Sequence, residues 1–141
     1  MRFWDSSAIV PLVCRERESS RCRAWLREDP AIVVWALAAT EVASAIARRR
    51  RERALSTRTV ATANRRLSLL EEAWSEVHEL DAVRARARRL LEIHPLSAAD
   101  AMHLAAALLV TEERTRGFGF VTFDAQLAEA AEREGFRALS R

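Results

Sequence analysis

Four acidic residues stand where an apolar segment gives way to the next element of the chain: Asp5, Glu41, Asp100 and Asp124. Asp5 ends the run Met1-Arg2-Phe3-Trp4, and Asp124 ends Phe120-Val121-Thr122-Phe123. Glu41 follows Ile32-Val33-Val34-Trp35 at a short distance, and Asp100 opens the helical stretch that runs to Val110. In an open parallel α/β sheet, functional groups gather at the carboxyl ends of the strands. Carboxylates brought together there repel one another unless hard cations hold them. The pattern therefore points to an oxygen-lined Mg²⁺ or Mn²⁺ site, and through it to phosphodiester hydrolysis.

The elements that must position these groups alternate between short apolar runs and longer helical patterns, the signature of βαβ units and a parallel sheet. Strands are predicted near 2–5, 31–35, 75–80, 118–123 and 136–139. Helices are predicted near 7–15, 19–28, 37–53, 56–73, 82–93, 98–113 and 125–134, from Ala, Leu, Arg and Glu richness and spacings such as Leu67, Leu70 and Trp74. Gly and Pro are scattered, mostly at element borders, no stretch reads as a linker, and no internal repeat occurs. Residues 1–141 are thus expected to form one domain.

Each acid also has a purely structural reading. Asp5 and Asp124 precede helices and can serve as N-caps, and Ser97-Ala98-Ala99-Asp100 matches a capping box. Glu41 suits the positive first turn of its helix. Taken jointly, however, the two aspartates follow strands that a doubly wound sheet makes neighbours, while Glu41 and Asp100 start helices that lean over the same crevice. Asp81 also follows a strand, and is read as a pure cap of Ala82-Val83-Arg84. Ala38, Ala45 and Ala101 leave room for a substrate around the candidates.

All 23 basic residues are Arg, and the pI of about 10.0 favours a polyanionic partner, although a net charge of +3 is small. The segment Arg48-Arg49-Arg50-Arg51-Glu52-Arg53 ends a helix. Arginines there complement the helix dipole, contact phosphate, or dock an acidic protein segment. Cys14 and Cys22 fit neither a zinc pattern nor a disulfide framework and read as free, partly buried thiols. The N-terminus carries no secretion signal, and the longest apolar run, Ala31 to Ala39, falls short of the ~20 residues needed to cross a bilayer. A soluble cytoplasmic protein is expected. Among the aromatic groups, Trp4, Trp35 and Trp74 are assigned to the core and Trp25 is left open, while His78 and His94 read as exposed. His103 lies on the helical face of Asp100, where packing or the helix surface is favoured over a supporting role at the site.

These blocks resemble the PIN-domain ribonucleases, and specifically the VapC-type toxins of toxin–antitoxin pairs. The resemblance spans nearly the whole chain. It is carried by Phe3-Trp4-Asp5-Ser6-Ser7-Ala8, by Thr40-Glu41, by Leu96-Ser97-Ala98-Ala99-Asp100-Ala101-Met102-His103-Leu104-Ala105-Ala106-Ala107, and by Val121-Thr122-Phe123-Asp124. It implies a PIN-like three-layer α/β sandwich, with a central parallel sheet of order 3-2-1-4-5 and helices on both faces. It also implies that Asp5, Glu41, Asp100 and Asp124 form the metal-binding catalytic cluster, supported by Ser7 and Thr122, with Ser6 sharing the role of Ser7. The expected cofactor is Mg²⁺ or Mn²⁺, and the expected partners are an RNA substrate, a cognate VapB-like antitoxin and a second copy in a homodimer, with no membrane. The antitoxin's amphipathic helix is expected on the Ala-rich faces of the helices from Ala36 and Ser56.

Rival readings are weaker. A phosphorelay receiver needs a Lys, which the chain lacks, and a haloacid-dehalogenase-like phosphatase needs Asp where Ser7 stands. A dinucleotide-binding enzyme needs a Gly-rich first turn, yet Asp5 to Leu12 contains no Gly. A catalytically idle module of the same fold, acting by RNA or protein binding, is the remaining alternative.

Overall fold

Short strands with side chains alternating between two buried faces organise the molecule. The computed structural model describes residues 1–140; residue 141, the end of the expected 1–141 domain, lies outside the described residues. In chain order the elements are β1 (Arg2–Trp4), α1 (Ser6–Val13), α2 (Ser19–Glu28), β2 (Ile32–Trp35), α3 (Ala38–Arg51), α4 (Thr57–Ala73), β3 (Ser75–Val77), α5 (Leu80–Ile93), α6 (Ala98–Val110), β4 (Gly119–Val121), α7 (Ala125–Arg133) and β5 (Arg137–Leu139). All strand pairs are parallel, and the sheet order is β3-β2-β1-β4-β5, as the resemblance implied.

The period of two along each strand sends neighbours into different cores. Phe3, Val33 and Phe120 pack with Val83, Leu90, Leu104, Leu108 and Leu127, joining α5, α6 and α7 to one face. Trp4, Val34 and Val121 pack with Ile9, Val13, Cys22, Val42, Ile46 and Leu67, joining α1 to α4 to the other. Every residue of β2 is buried, which is why its sequence is a continuous apolar run rather than an alternation. Trp4, Trp35 and Trp74 are all buried, and both cysteines are free and buried.

The same packing covers part of the helix faces on which an antitoxin helix was expected: Val42 and Ile46 of α3 and Val60, Ala63 and Leu67 of α4 are buried in the second core, whereas Ala43 and Ala61 stay exposed. No single helix among the described residues is long and apolar enough to cross a membrane.

Gly135 closes the turn between α7 and β5 at a φ of +92°, and a Cβ there would meet the Thr115 hydroxyl at 2.5 Å. That hydroxyl donates to the Glu134 carbonyl at 2.7 Å, so it is not free to swing away. Gly117 has a similar φ of +88° but open space around it. Gly135→Ala is therefore expected to cost about 2–3 kcal/mol, and Gly117→Ala about 1 kcal/mol from backbone strain alone. Thermal melts of the two variants check this; equal losses would mean the contact with Thr115 is easily relieved.

Candidate active site

Two neighbouring strands deliver the aspartates to one end of the sheet. Asp5 follows β1 directly, and its amide donates to the Val121 carbonyl at the end of β4 (3.1 Å). Its side chain is only 3% exposed, and Oδ1 accepts from the Ser7 hydroxyl (2.7 Å) and the Ala8 amide (3.3 Å). Asp124 caps α7 by accepting from the Leu127 amide (2.7 Å), while its own amide donates to the Thr122 hydroxyl (3.0 Å). The Ser7 hydroxyl also accepts from the Phe123 amide (2.8 Å) and lies 3.4 Å from the Thr122 hydroxyl. Ser7 and Thr122 thus pin the start of α1 to the chain leaving β4, so the two aspartates share one frame.

The helices bring the other two acids. Ser97 caps α6 as read from the sequence, its hydroxyl accepting from the Asp100 amide (3.2 Å), but in place of the reciprocal capping-box bond to the Ser97 amide, Asp100 Oδ2 accepts from the Ser97 hydroxyl (2.7 Å). Glu41 lies in the first turn of α3, where its Oε2 accepts from the Ser6 hydroxyl (2.6 Å) and from His103 Nε2 (2.9 Å). Ser6 therefore supports Glu41, whereas Ser7 supports Asp5. Asp81 is different from its sequence reading: Glu79 occupies the N-cap of α5, and Asp81 sits fully exposed in the first turn, 3.9 Å from Arg84, capping nothing.

Charge ties the group together. Burial, opposed by the charge of His103 and bonds from Ser7, Thr122 and Ala8, pushes the Asp5 carboxyl up to about 6. Burial also raises Asp100, and the charges of Asp124 and Glu41 add to the rise. Burial works to raise Glu41 too, but the hydrogen bond and charge of His103 outweigh it and hold this carboxyl below its ordinary range. For His103 burial works downward, and Glu41, Asp5 and Asp100 overcome it and raise the imidazole. Asp100 feels the charges of Asp124 and Glu41, and Asp5, Glu41 and Asp100 each feel that of His103, which links the predicted acids electrostatically.

His103 is the member that sequence reasoning undervalued. It is 1% exposed, so it is not on the helix surface, and although its ring packs edge-on to Phe3, its Nε2 is directed to Glu41. The signal was its position three residues after Asp100, on the same face of α6. His94 also departs from expectation: it is buried, and its Nε2 lies 2.7 Å from Glu134 at the C-terminal end of α7, in a network with Arg86. His78 is exposed as read, with Glu76 at 3.2 Å. Trp25, left open by the sequence, stacks on Phe123 with ring centroids 6.0 Å apart.

Among the described residues no three His, Cys, Asp or Glu side chains converge closely enough to hold an ion as they stand. The donor chemistry nonetheless suits a hard divalent cation: the contributed atoms are carboxylate oxygens, and Asp5 is pushed toward its neutral form by burial and Asp100 by burial together with the charges of Asp124 and Glu41, which a cation relieves. The hydrogen bonds from the Ser7 hydroxyl and the Ala8 amide both end on Asp5 Oδ1.

If His103 positions Glu41, His103→Asn should lower the rate of any reaction run here by about 10- to 100-fold, with the substrate's KM little changed. A loss confined to thermal stability, with kcat intact, would reduce His103 to a packing residue.

The PIN domain family model matches residues 2–133 of the chain. Among solved structures, PAE2754 from Pyrobaculum aerophilum shares 21% identity, with 97% of this chain and 87% of that one covered and a TM-score of 0.61. FitAcB from Neisseria gonorrhoeae shares 19%, covering 99% and 97% at a TM-score of 0.67. FitAB bound to the IR36 DNA fragment shares 19%, covering 99% and 94% at 0.65. At these identities the likeness is one of fold. No curated protein matches the chain.

Proposed function

Because the chain belongs to the PIN domain family, whose members are generally nucleases, we propose that the acidic cluster is a metal-dependent endoribonuclease centre and that the protein is the toxin of a VapC-type toxin–antitoxin pair. What supports this reading is that Asp5 and Asp124 follow the neighbouring strands β1 and β4 and are tied by the Ser7–Thr122 contact, that His103 of α6 bonds Glu41 of α3, and that the charges of Asp124 and Glu41 bear on Asp100. The four carboxylates are the proposed catalytic residues and metal ligands, with Ser7 and Thr122 as supports and Mg²⁺ or Mn²⁺ as the ion.

When bound, the cation supplies a Lewis acid that eases ionisation of water and neutralises charge building on the scissile phosphate. The chain's own residues do the positioning. Asp5 is fixed by the Ser7 hydroxyl and the Ala8 amide, which would hold its buried carboxyl ready for an ion. Asp100 stands in the first turn of α6 and Asp124 at the N-cap of α7, where Ser97 and the Leu127 amide limit their rotamers. Glu41 is held from two sides by Ser6 and His103. Water as the nucleophile leaves a 5′-phosphate and a 3′-hydroxyl.

The same acids offer a natural point of inhibition. A Lys or Arg from a cognate VapB-like antitoxin would pair with Asp5 or Asp100 and exclude the cation. A homodimer, a cytoplasmic location and a single domain over residues 1–141 complete the proposal. Expression alone should arrest growth, co-expression with the adjacent upstream reading frame should relieve the arrest and yield a stable complex, and the purified protein should degrade mixed RNA in Mg²⁺ but not in EDTA. A harmless chain with no such complex defeats the toxin reading; RNA cleavage indifferent to EDTA defeats the metal reading.

A further inference from the structure

A groove of about 310 Å³ opens from the acidic cluster along α3. Ser6, Ser7 and Glu41 line its inner end, and Ser44, Ala45 and Arg48 continue it outward. Those positions follow from helix geometry: residues 41, 44, 45 and 48 are spaced i, i+3, i+4 and i+7, so they form one stripe on α3. The seven residues from Glu41 to Arg48 span two turns, or about 10 Å.

Charge distinguishes the arginines at this end of the helix. Arg49 also borders the groove, but its guanidinium is committed to the Glu16 carboxylate and the Ala45 carbonyl, so that pair adds no net charge. Arg48 is exposed and has no ion pair among the described residues. Arg50 is exposed too, but lies nine residues from Glu41, which turns it to the opposite side of α3. Among the described residues the mouth of the groove therefore carries one guanidinium without an ion pair, with the Ser44 hydroxyl one turn inward to add a hydrogen bond to an anion.

Resting on the ribonuclease reading above, we infer that Arg48 is a phosphate-binding residue for the substrate RNA. It holds a phosphate along the chain from the bond being cut, because two helical turns separate it from Glu41. The groove then sets the direction in which the strand leaves the acids, and the Arg48–Arg53 run divides into one substrate contact and a solvated helix terminus. Arg48 carries affinity and register rather than base recognition, since phosphate contacts are blind to sequence.

The test is binding of a mixed-sequence single-stranded RNA oligonucleotide by fluorescence anisotropy, in EDTA to prevent cleavage, from about 50 to about 200 mM salt. Arg48→Ala should weaken binding about fivefold on all sequences and flatten the slope of log K against log salt by about 0.7, the value for one phosphate on a single strand. Arg50→Ala should leave both near wild type, and Arg48→Lys should recover most of the slope. Equal effects of Arg48→Ala and Arg50→Ala, with wild-type RNA binding and cleavage intact, would overturn this inference alone. Failure of the wild-type protein to bind or cleave RNA would remove the ribonuclease reading and this inference with it.

Discussion

Asp5→Asn and Asp100→Asn are each expected to lower Mg²⁺-dependent RNA cleavage by at least about a thousandfold while the protein stays folded. The loss follows from removing one anionic ligand from a site whose chemistry depends on holding a cation; several kcal/mol of transition-state stabilisation correspond to three or more decades of rate. The fold is spared because Asn has almost the same volume and its amide oxygen can still accept from Ser7 and Ala8 at position 5, or from Ser97 at position 100. Circular dichroism and a single-turnover cleavage assay on the same preparations check both halves. Wild-type cleavage by either soluble variant would remove that residue from the catalytic set.

Without metal, the same substitution at position 5 should stabilise the protein at neutral pH. Burial pushes the Asp5 carboxyl from 3.8 up to about 6, so between those values the native state binds a proton that the unfolded chain has lost. Native stability therefore falls as pH rises through that window, and above it the ionised, buried carboxylate costs about 3 kcal/mol. His103 works in the same direction at higher pH, because its raised pKa gives a contribution fully present below 6.5 and lost as pH climbs past the folded value. Glu41, held low, works the other way only in acid, its contribution disappearing as pH falls below 4.5. In EDTA at pH 7.5, Asp5→Asn should melt on the order of 10 °C above wild type, and the gap should shrink toward pH 4. A variant less stable than wild type at pH 7.5 would show that the Asp5 carboxylate is compensated in the native state by something other than a cation.

Local chemistry explains which parts of this molecule were legible in the sequence. The central strands were visible because a parallel sheet covered on both faces needs continuous apolar runs, such as Ile32 to Trp35, whereas the edge strands Ser75–Val77 and Arg137–Leu139 carry no such run; the helices were visible because Ala, Leu and Arg dominate between the strands. The sheet order came from the family resemblance, since strands of three or four residues carry little pairing information of their own. Helix starts were readable at Ser97 and Asp124, whose caps are local, and misread at Asp81, where the chain enters α5 two residues earlier through Glu79. The roles of His94 and His103 depended on partners 40 and 62 residues away, Glu134 and Glu41, and no local pattern encodes such pairs. The faces of α3 and α4 show the converse: an apolar stripe announces burial but not whether the covering surface belongs to the same chain.

The most direct measurement of the central claim is the end chemistry of a defined RNA cut by the purified protein, with Mg²⁺ and with Mg²⁺ plus excess EDTA. Water attack at a cation held by the acidic cluster predicts fragments with 5′-phosphate and 3′-hydroxyl ends, formed only where Mg²⁺ is free. Fragments ending in a 2′,3′-cyclic phosphate, or cutting that persists in EDTA, would contradict it.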